Sequence, residues 1–189
     1  NNPFTNLENT LGAIYIVRDP RNVVLSSANH DSKSQEQSAE DLIKGRLLRE
    51  DFQNEVKVYP GTWGGNYESW KSFKNVNKYL LVKYEDLIKD KEKSFHEILK
   101  FIYDLKKIDF ILDKEKFKNV IKSTNFERMQ ELEKTKGFEE SMLDNTTGKK
   151  VKFFNLGKNR DWRKILKDKI KNKIEKEFRK EMLELGYLK

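Results

Sequence analysis

Two short runs, Gly12–Val17 (GAIYIV) and Lys78–Tyr84 (KYLLVKY), constrain this chain more than any other feature. Each is almost unbroken in apolar, β-branched and aromatic residues. Half-exposed strands alternate apolar with polar residues, so runs of this kind suit strands buried on both faces, as in a parallel sheet. Parallel neighbours need long crossover connections, and the chain between the runs is long enough to supply helical ones. The expected fold class is therefore α/β, a parallel sheet flanked by helices. A parallel pair alone leaves faces and edges without partners, so further strands are expected, ahead of Asn1.

The segment after the first run, RDPRNVVLSSANH, reads as a tight turn into a helix. Asp19 is a good N-cap, Pro20 suits the first helical position, and Val23, Val24 and Leu25 form the apolar stretch. Residues 31–50 are mostly polar and predict a loop, then a modest helix near Glu40–Asp51. A turn-rich loop, YPGTWGG, carries Trp63 and precedes a short helix over Asn66–Phe73 with Trp70 inward. Phe95, Ile98, Leu99 and Ile102 are spaced as one helix face. Lys114–Lys134 predicts a further helical zone. The tail from Asp161 to Glu184 predicts a helix with Leu166, Ile170, Ile174, Phe178 and Met182 as its apolar stripe.

Composition removes several function classes. With 0 Cys, disulfide scaffolds, thiol catalysis and cysteine zinc sites are excluded, and a reducing compartment, the cytoplasm, is expected. With 2 His, a multi-histidine metal centre is excluded too, so no metal is expected. No apolar run is long enough to span a membrane, and NNPFTNLENT has neither half of a secretory signal. It reads as a surface loop, as though the chain begins within a domain. The net charge of +8 implies an electropositive face. In the lysine-rich tail, however, Glu175, Glu177, Glu181 and Glu184 intersperse the cations, the pattern of a solvated face. Nucleic acid is not an expected partner.

Three constellations carry possible chemistry. Arg18 emerges at the carboxyl end of the first strand, where open α/β sheets bind ligands, and a guanidinium beside a helix N-terminus suits a phosphate. Ser26 lies two turns into the helix and reaches a ligand only along the helix flank. The structural alternative is an Arg18–Asp19 surface pair and a solvent-facing serine. In FFNLGKNRDWRK, Gly157 lets backbone approach an anion, with Lys158, Arg160, Arg163 and Lys164 supplying charge. The structural alternative there is a helix start with Asp161 as N-cap and Trp162 in the core. In STNFERM, Thr124 and Glu127 fit a capping box and Phe126 a core position, or Thr124 and Phe126 face a flat base. Tyr84, ending the second run, is equally ambiguous. His30 at a helix end and His96 on a helix surface carry no catalytic role.

Taken in order, these segments resemble the sulfotransferases that use 3′-phosphoadenosine 5′-phosphosulfate (PAPS). IYIVRDPRNVVLS is similar to the family's strand and helix for the 3′-phosphate, which implies that Arg18 and Ser26 bind it. GTWGGNYESWKSF resembles the family's Gly/Ser-Trp loop and following Trp. YLLVKYEDL resembles the strand whose final Tyr, here Tyr84, approaches adenine, and STNFERM resembles the segment whose Thr and Phe, here Thr124 and Phe126, contact the base. GKNRDW resembles the closing loop, normally Arg-Lys-Gly and then Gly-Asp-Trp. Asn155 and Leu156 stand in the places of its basic pair, Gly157 is kept, and Arg160 replaces the later Gly. Lys158 and Arg160 are then the loop's own cations.

The resemblance implies a P-loop-type sulfotransferase fold that lacks its N-terminal strand–loop–helix unit, with residues 1–189 forming the C-terminal portion of one domain. The family's phosphosulfate-loop Lys and catalytic His lie upstream of the Arg18 strand, so no catalytic residue is assigned here, and the chain alone is expected to be inactive. The implied partners are the nucleotide cosubstrate, PAPS, and a small-molecule or glycan acceptor. The last helix carries no match to the family's Thr-Val dimerisation motif. Competing classes are a non-catalytic nucleotide-binding module, a P-loop kinase relative and a basic nucleic-acid-binding protein.

Overall fold

Both apolar runs are strands in the computed structural model, which describes residues 7–45, 58–144, 147–155, 157 and 161–189. Strand β1 (Gly12–Val17) pairs in parallel with β2 (Lys78–Lys83), Gly12 facing Lys78 and Val17 facing Lys83. The fold is α/β as expected, a parallel sheet with many helices. The chain divides into two units, each assembled from separate stretches. The first is Asn1–Arg18 with Tyr67–Lys122, and the second is Asp19–Asn66 with Ser123–Lys189.

In the first unit, alternate strand residues face opposite sides of the sheet. On one side Tyr15 stacks on Trp70 of α3 (Trp63–Ser72), ring centroids 6.1 Å apart. Tyr67 lies 6.3 Å away at a tilt. Burial there, with Tyr79 adding to it, pushes the Tyr15 hydroxyl up to about 12. On the other side Gly12 admits Leu105 of α5 (Lys91–Lys106), since a Cβ at Gly12 would fall 2.7 Å from the leucine side chain. Further along that face Ile14 and Ile16 are 36% and 52% exposed. Helix α4 (Tyr84–Lys89) follows β2 without a break, and α6 (Lys114–Ser123) ends the unit.

The second unit starts with α1 (Pro20–His30), where the Asp19 side chain accepts from the Arg21 amide and Pro20 occupies the first turn. Helix α2 (Gln35–Lys44) begins earlier than the Glu40 expected from pattern, because Ser34 and Gln37 form a reciprocal capping box. The remainder of the expected Glu40–Asp51 helix beyond Gly45 lies outside the described residues. The expected Lys114–Lys134 zone is two helices, α6 and α7 (Phe126–Lys136). The cap of α7 is Asn125 rather than the expected Thr124, and its side chain accepts from the Arg128 amide at 2.7 Å. Asn is at least as good a cap as Thr and stands one residue closer to the helix.

The tail is also three helices, α8 (Trp162–Ile165), α9 (Asp168–Glu177) and α10 (Arg179–Glu184). Extended backbone at Leu166 and Lys167 separates the first two. The expected stripe survives both breaks. Leu166, Ile170, Ile174, Phe178 and Met182 are buried together with Val24, Leu25 and Ala39. Ile174 and Met182 are fully inaccessible, so truncating either to Ala costs roughly 2–5 kcal/mol.

Candidate functional site

The parallel register delivers the first pair of predicted residues. Because Val17 and Lys83 are partners, the next residues, Arg18 and Tyr84, leave the sheet at the same end. The Arg18 guanidinium lies over the Tyr84 ring, 4.3 Å from its centroid, a cation–π arrangement. An aromatic ring beside a fixed cation offers both a surface for a base and a charge for a phosphate.

Asp19 commits both carboxylate oxygens to Arg21, with Nε at 2.9 Å and Nη2 at 2.7 Å. Arg21 also donates to Glu175 at 2.6 Å and to the Tyr187 carbonyl at 2.8 Å. Its guanidinium sits 3.9 Å from the centre of the Trp162 ring. Burial pulls this guanidinium down, but the hydrogen bonds and charges of Asp19 and Glu175 outweigh burial and leave it above the ordinary arginine value. The buried pair in RDPR is thus Asp19–Arg21, a structural one that fixes the first turn of α1. The sequence signal for it was only the spacing of Asp19 and Arg21.

Ser26 is half-buried on α1, and Asn29 and His30 follow at the i+3 and i+4 positions of the same face. Asn29 donates to the Lys152 carbonyl at 3.1 Å and accepts from the Asn155 side chain at 2.6 Å. His30 meets Phe153 edge-on at 5.5 Å. Asn155, standing where a cation was expected by resemblance, therefore latches its loop to the helix of Ser26.

The other side of that loop rests on α7. Glu133 accepts the Phe153 and Phe154 amides at 2.6 and 3.0 Å, and the Ser141 hydroxyl at 3.0 Å. Gln130 donates to the Phe154 and Asn155 carbonyls at 2.8 and 2.9 Å. Phe138 packs against Phe153 and Phe154, with centroids 4.7 and 5.1 Å away.

Gly157 has φ +52°, and a Cβ there would lie 2.5 Å from the Phe126 ring. Glycine is needed at this position for the ring as much as for any ligand. Thr124 is exposed just ahead of the Asn125 cap.

The second unit thus brings Phe126, Asn155 and Gly157 together, with the loop latched to the helix that carries Ser26. The first unit brings together Arg18 and Tyr84. Leu156, Lys158 and Arg160 lie outside the described residues. Asn29, Gln130 and Glu133 escaped sequence reasoning because their partners are main-chain groups or another neutral amide, which leave no pattern of complementary charge. A cleft of about 280 Å³ along the Val23–Ser27 flank of α1, bounded by Asp41, Leu42 and Trp63, contains none of the predicted residues. Among the described residues no group of three or more metal-ligating side chains occurs.

Comparison with known proteins adds a context for this arrangement. Residues 3–186 match the family model described as a sulfotransferase domain. A flavonol sulfotransferase-like protein of Flaveria bidentis is 27% identical over 169 residues, 86% of this chain and 52% of that protein. Human sulfotransferase 2B1 is 32% identical over 89 residues, 47% of this chain and 24% of that protein. The chain spans about half the length, or less, of these curated relatives. The crystal structure of mouse sulfotransferase SULT7A1 complexed with PAP superposes with a TM-score of 0.55 at 22% identity, covering 89% of this chain and 57% of that one. That likeness establishes a shared fold.

Proposed function

Since the chain belongs to the sulfotransferase family, we propose that it supplies the 3′-phosphate and adenine site for transfer of a sulfuryl group from PAPS to an acceptor hydroxyl or amine. Residues 1–189 are then the C-terminal portion of a single domain whose phosphosulfate loop and catalytic His lie elsewhere. The observation that carries this reading is the strap at 152–155, joined through Asn29 to the helix of Ser26 and through Gln130 and Glu133 to the helix of Phe126. A site for one extended anionic ligand needs its phosphate and base contacts in fixed relation, and positioning is a large part of group-transfer catalysis.

Arg18 offers a bidentate fork for the 3′-phosphate and Ser26 a hydroxyl. Tyr84, Thr124 and Phe126 face the adenine, while Asn155, Leu156 and Gly157 contribute main chain and Lys158 and Arg160 charge. Transfer forms a bond from acceptor oxygen or nitrogen to sulfur as the bond from sulfur to the phosphate oxygen breaks. The residues of this chain hold the departing nucleotide and leave the proton to the family's base. The mouse sulfotransferase of similar fold holds PAP in its crystal structure, which supports the nucleotide assignment. The acceptor is a small molecule or glycan. Among the described residues no helix is long and apolar enough to cross a membrane, and a cytoplasmic location is part of the same proposal, supported by the lack of Cys.

Thermal denaturation with 3′-phosphoadenosine 5′-phosphate, AMP, ADP, and ATP with magnesium tests this. Ligand at about 100 times Kd adds roughly 2.7 kcal/mol of stability. At this size that is a rise of about 5–10 °C, expected for the 3′-phosphorylated nucleotide alone. A best response to ATP with magnesium means a kinase relative, and a salt-sensitive response to oligonucleotides means a nucleic-acid binder. Equal small shifts with every nucleotide mean a degenerate module.

A further inference from the structure

Four polar groups of the strap, the amides of Phe153 and Phe154 and the carbonyls of Phe154 and Asn155, are all held by side chains of α7. Phe126, Gln130 and Glu133 recur at i, i+4 and i+7, so they share one face of that helix. The same face therefore presents the ring that touches Gly157 and the two side chains that fix the preceding residues. Glu133 meets two consecutive amides and the Ser141 hydroxyl, charge-assisted bonds stronger than neutral ones. No role is assigned to either residue by the family resemblance.

We propose that Glu133 and Gln130 are positioning residues for the nucleotide, setting the strap at Asn155 and Gly157 in its binding geometry before ligand arrives. The proposal rests on the nucleotide reading given above. Neither side chain touches the ligand in this scheme. Each removes main-chain freedom that binding would otherwise have to remove, and preorganisation of that kind appears directly as affinity. Because α7 also holds Phe126, one helix then sets the spacing between the adenine contact and the strap.

Calorimetric titration with 3′-phosphoadenosine 5′-phosphate, paired with amide hydrogen exchange on the ligand-free chain, tests it. Glu133→Ala is expected to raise Kd about tenfold or more, the equivalent of one lost charge-assisted hydrogen bond. It should also speed exchange at the Phe153 and Phe154 amides. Gln130→Ala should raise Kd several-fold. Glu133→Gln, which keeps one acceptor oxygen, should fall between Glu133→Ala and the parent at an unchanged Tm. If Glu133→Ala does not fold, Gln130→Ala and Glu133→Gln decide the matter. An unchanged Kd in the folded variants overturns the proposal, including when exchange has quickened. A parent that does not bind the nucleotide overturns the nucleotide reading and this proposal with it, while exchange still reports whether Glu133 orders the strap.

Discussion

The end of β1 and the first turn of α1 each present an arginine, and they hold it in different ways. Arg18 in the first unit lies over an aromatic face, that of Tyr84, at a point fixed by the strand register. Arg21 in the second unit is only 4% exposed and is gripped by Asp19, Glu175, the Tyr187 carbonyl and Trp162. Residue type and motif membership are the same. What differs is the setting, a strand end beside a ring against one buried and one part-buried carboxylate. The second setting makes Arg21 a part of the scaffold, so the two arginines should answer to different measurements.

Arg21→Ala should break that contrast most severely. It leaves the buried Asp19 carboxylate without its counter-charge, a loss of roughly 3–5 kcal/mol that urea denaturation would register. A loss below about 1 kcal/mol would show that the network is ornamental. Arg18→Ala should do the reverse. The loss falls on binding, with affinity for 3′-phosphoadenosine 5′-phosphate lowered by about 1.5–3 kcal/mol in calorimetry. Unchanged affinity would remove Arg18 from the site.

Gly157→Val probes the strap. Strain at a positive φ, about 1–3 kcal/mol, adds to a collision with Phe126, so the loop should be displaced and nucleotide affinity lost while the helical core still melts cooperatively. Affinity equal to the parent would mark the loop as ordinary surface.

The smallest effect belongs to the first unit alone. Tyr15 in the folded chain keeps its proton up to about 12. An unfolded tyrosine loses its proton near pH 10. Above that pH the unfolded state binds fewer protons, so stability should fall as pH rises from about 10 to 12. Tyr15→Phe should flatten this alkaline slope in denaturation followed by circular dichroism. A slope that persists in the variant assigns it to another group.

Much of the scaffold was legible because it depends on local pattern. Unbroken apolar runs mark β1 and β2, Asp-Pro marks the start of α1, and the spacing of four from Leu166 to Met182 marks the buried stripe. The helix breaks at Asn125 and Leu166 were harder, since neither involves Pro or Gly and the apolar period continues across them. At the candidate site, Arg18 and Tyr84 were readable as strand ends. The supports were not. Glu133 and Gln130 act on main-chain groups about twenty residues away, and nearly any sequence without Pro at 153 or 154 would supply such groups.

The interleaving of the two units has a kinetic consequence. β1 and β2 cannot pair until the stretch that belongs to the other unit has been looped out, and non-local parallel pairing of this kind forms slowly. The core begun by Val24 and Leu25 likewise waits for Ile174, Phe178 and Met182, near the end of the chain. During synthesis α1 must therefore emerge with its apolar face uncovered, and no single peptide-bond cleavage at a unit junction releases both units with their stretches covalently joined.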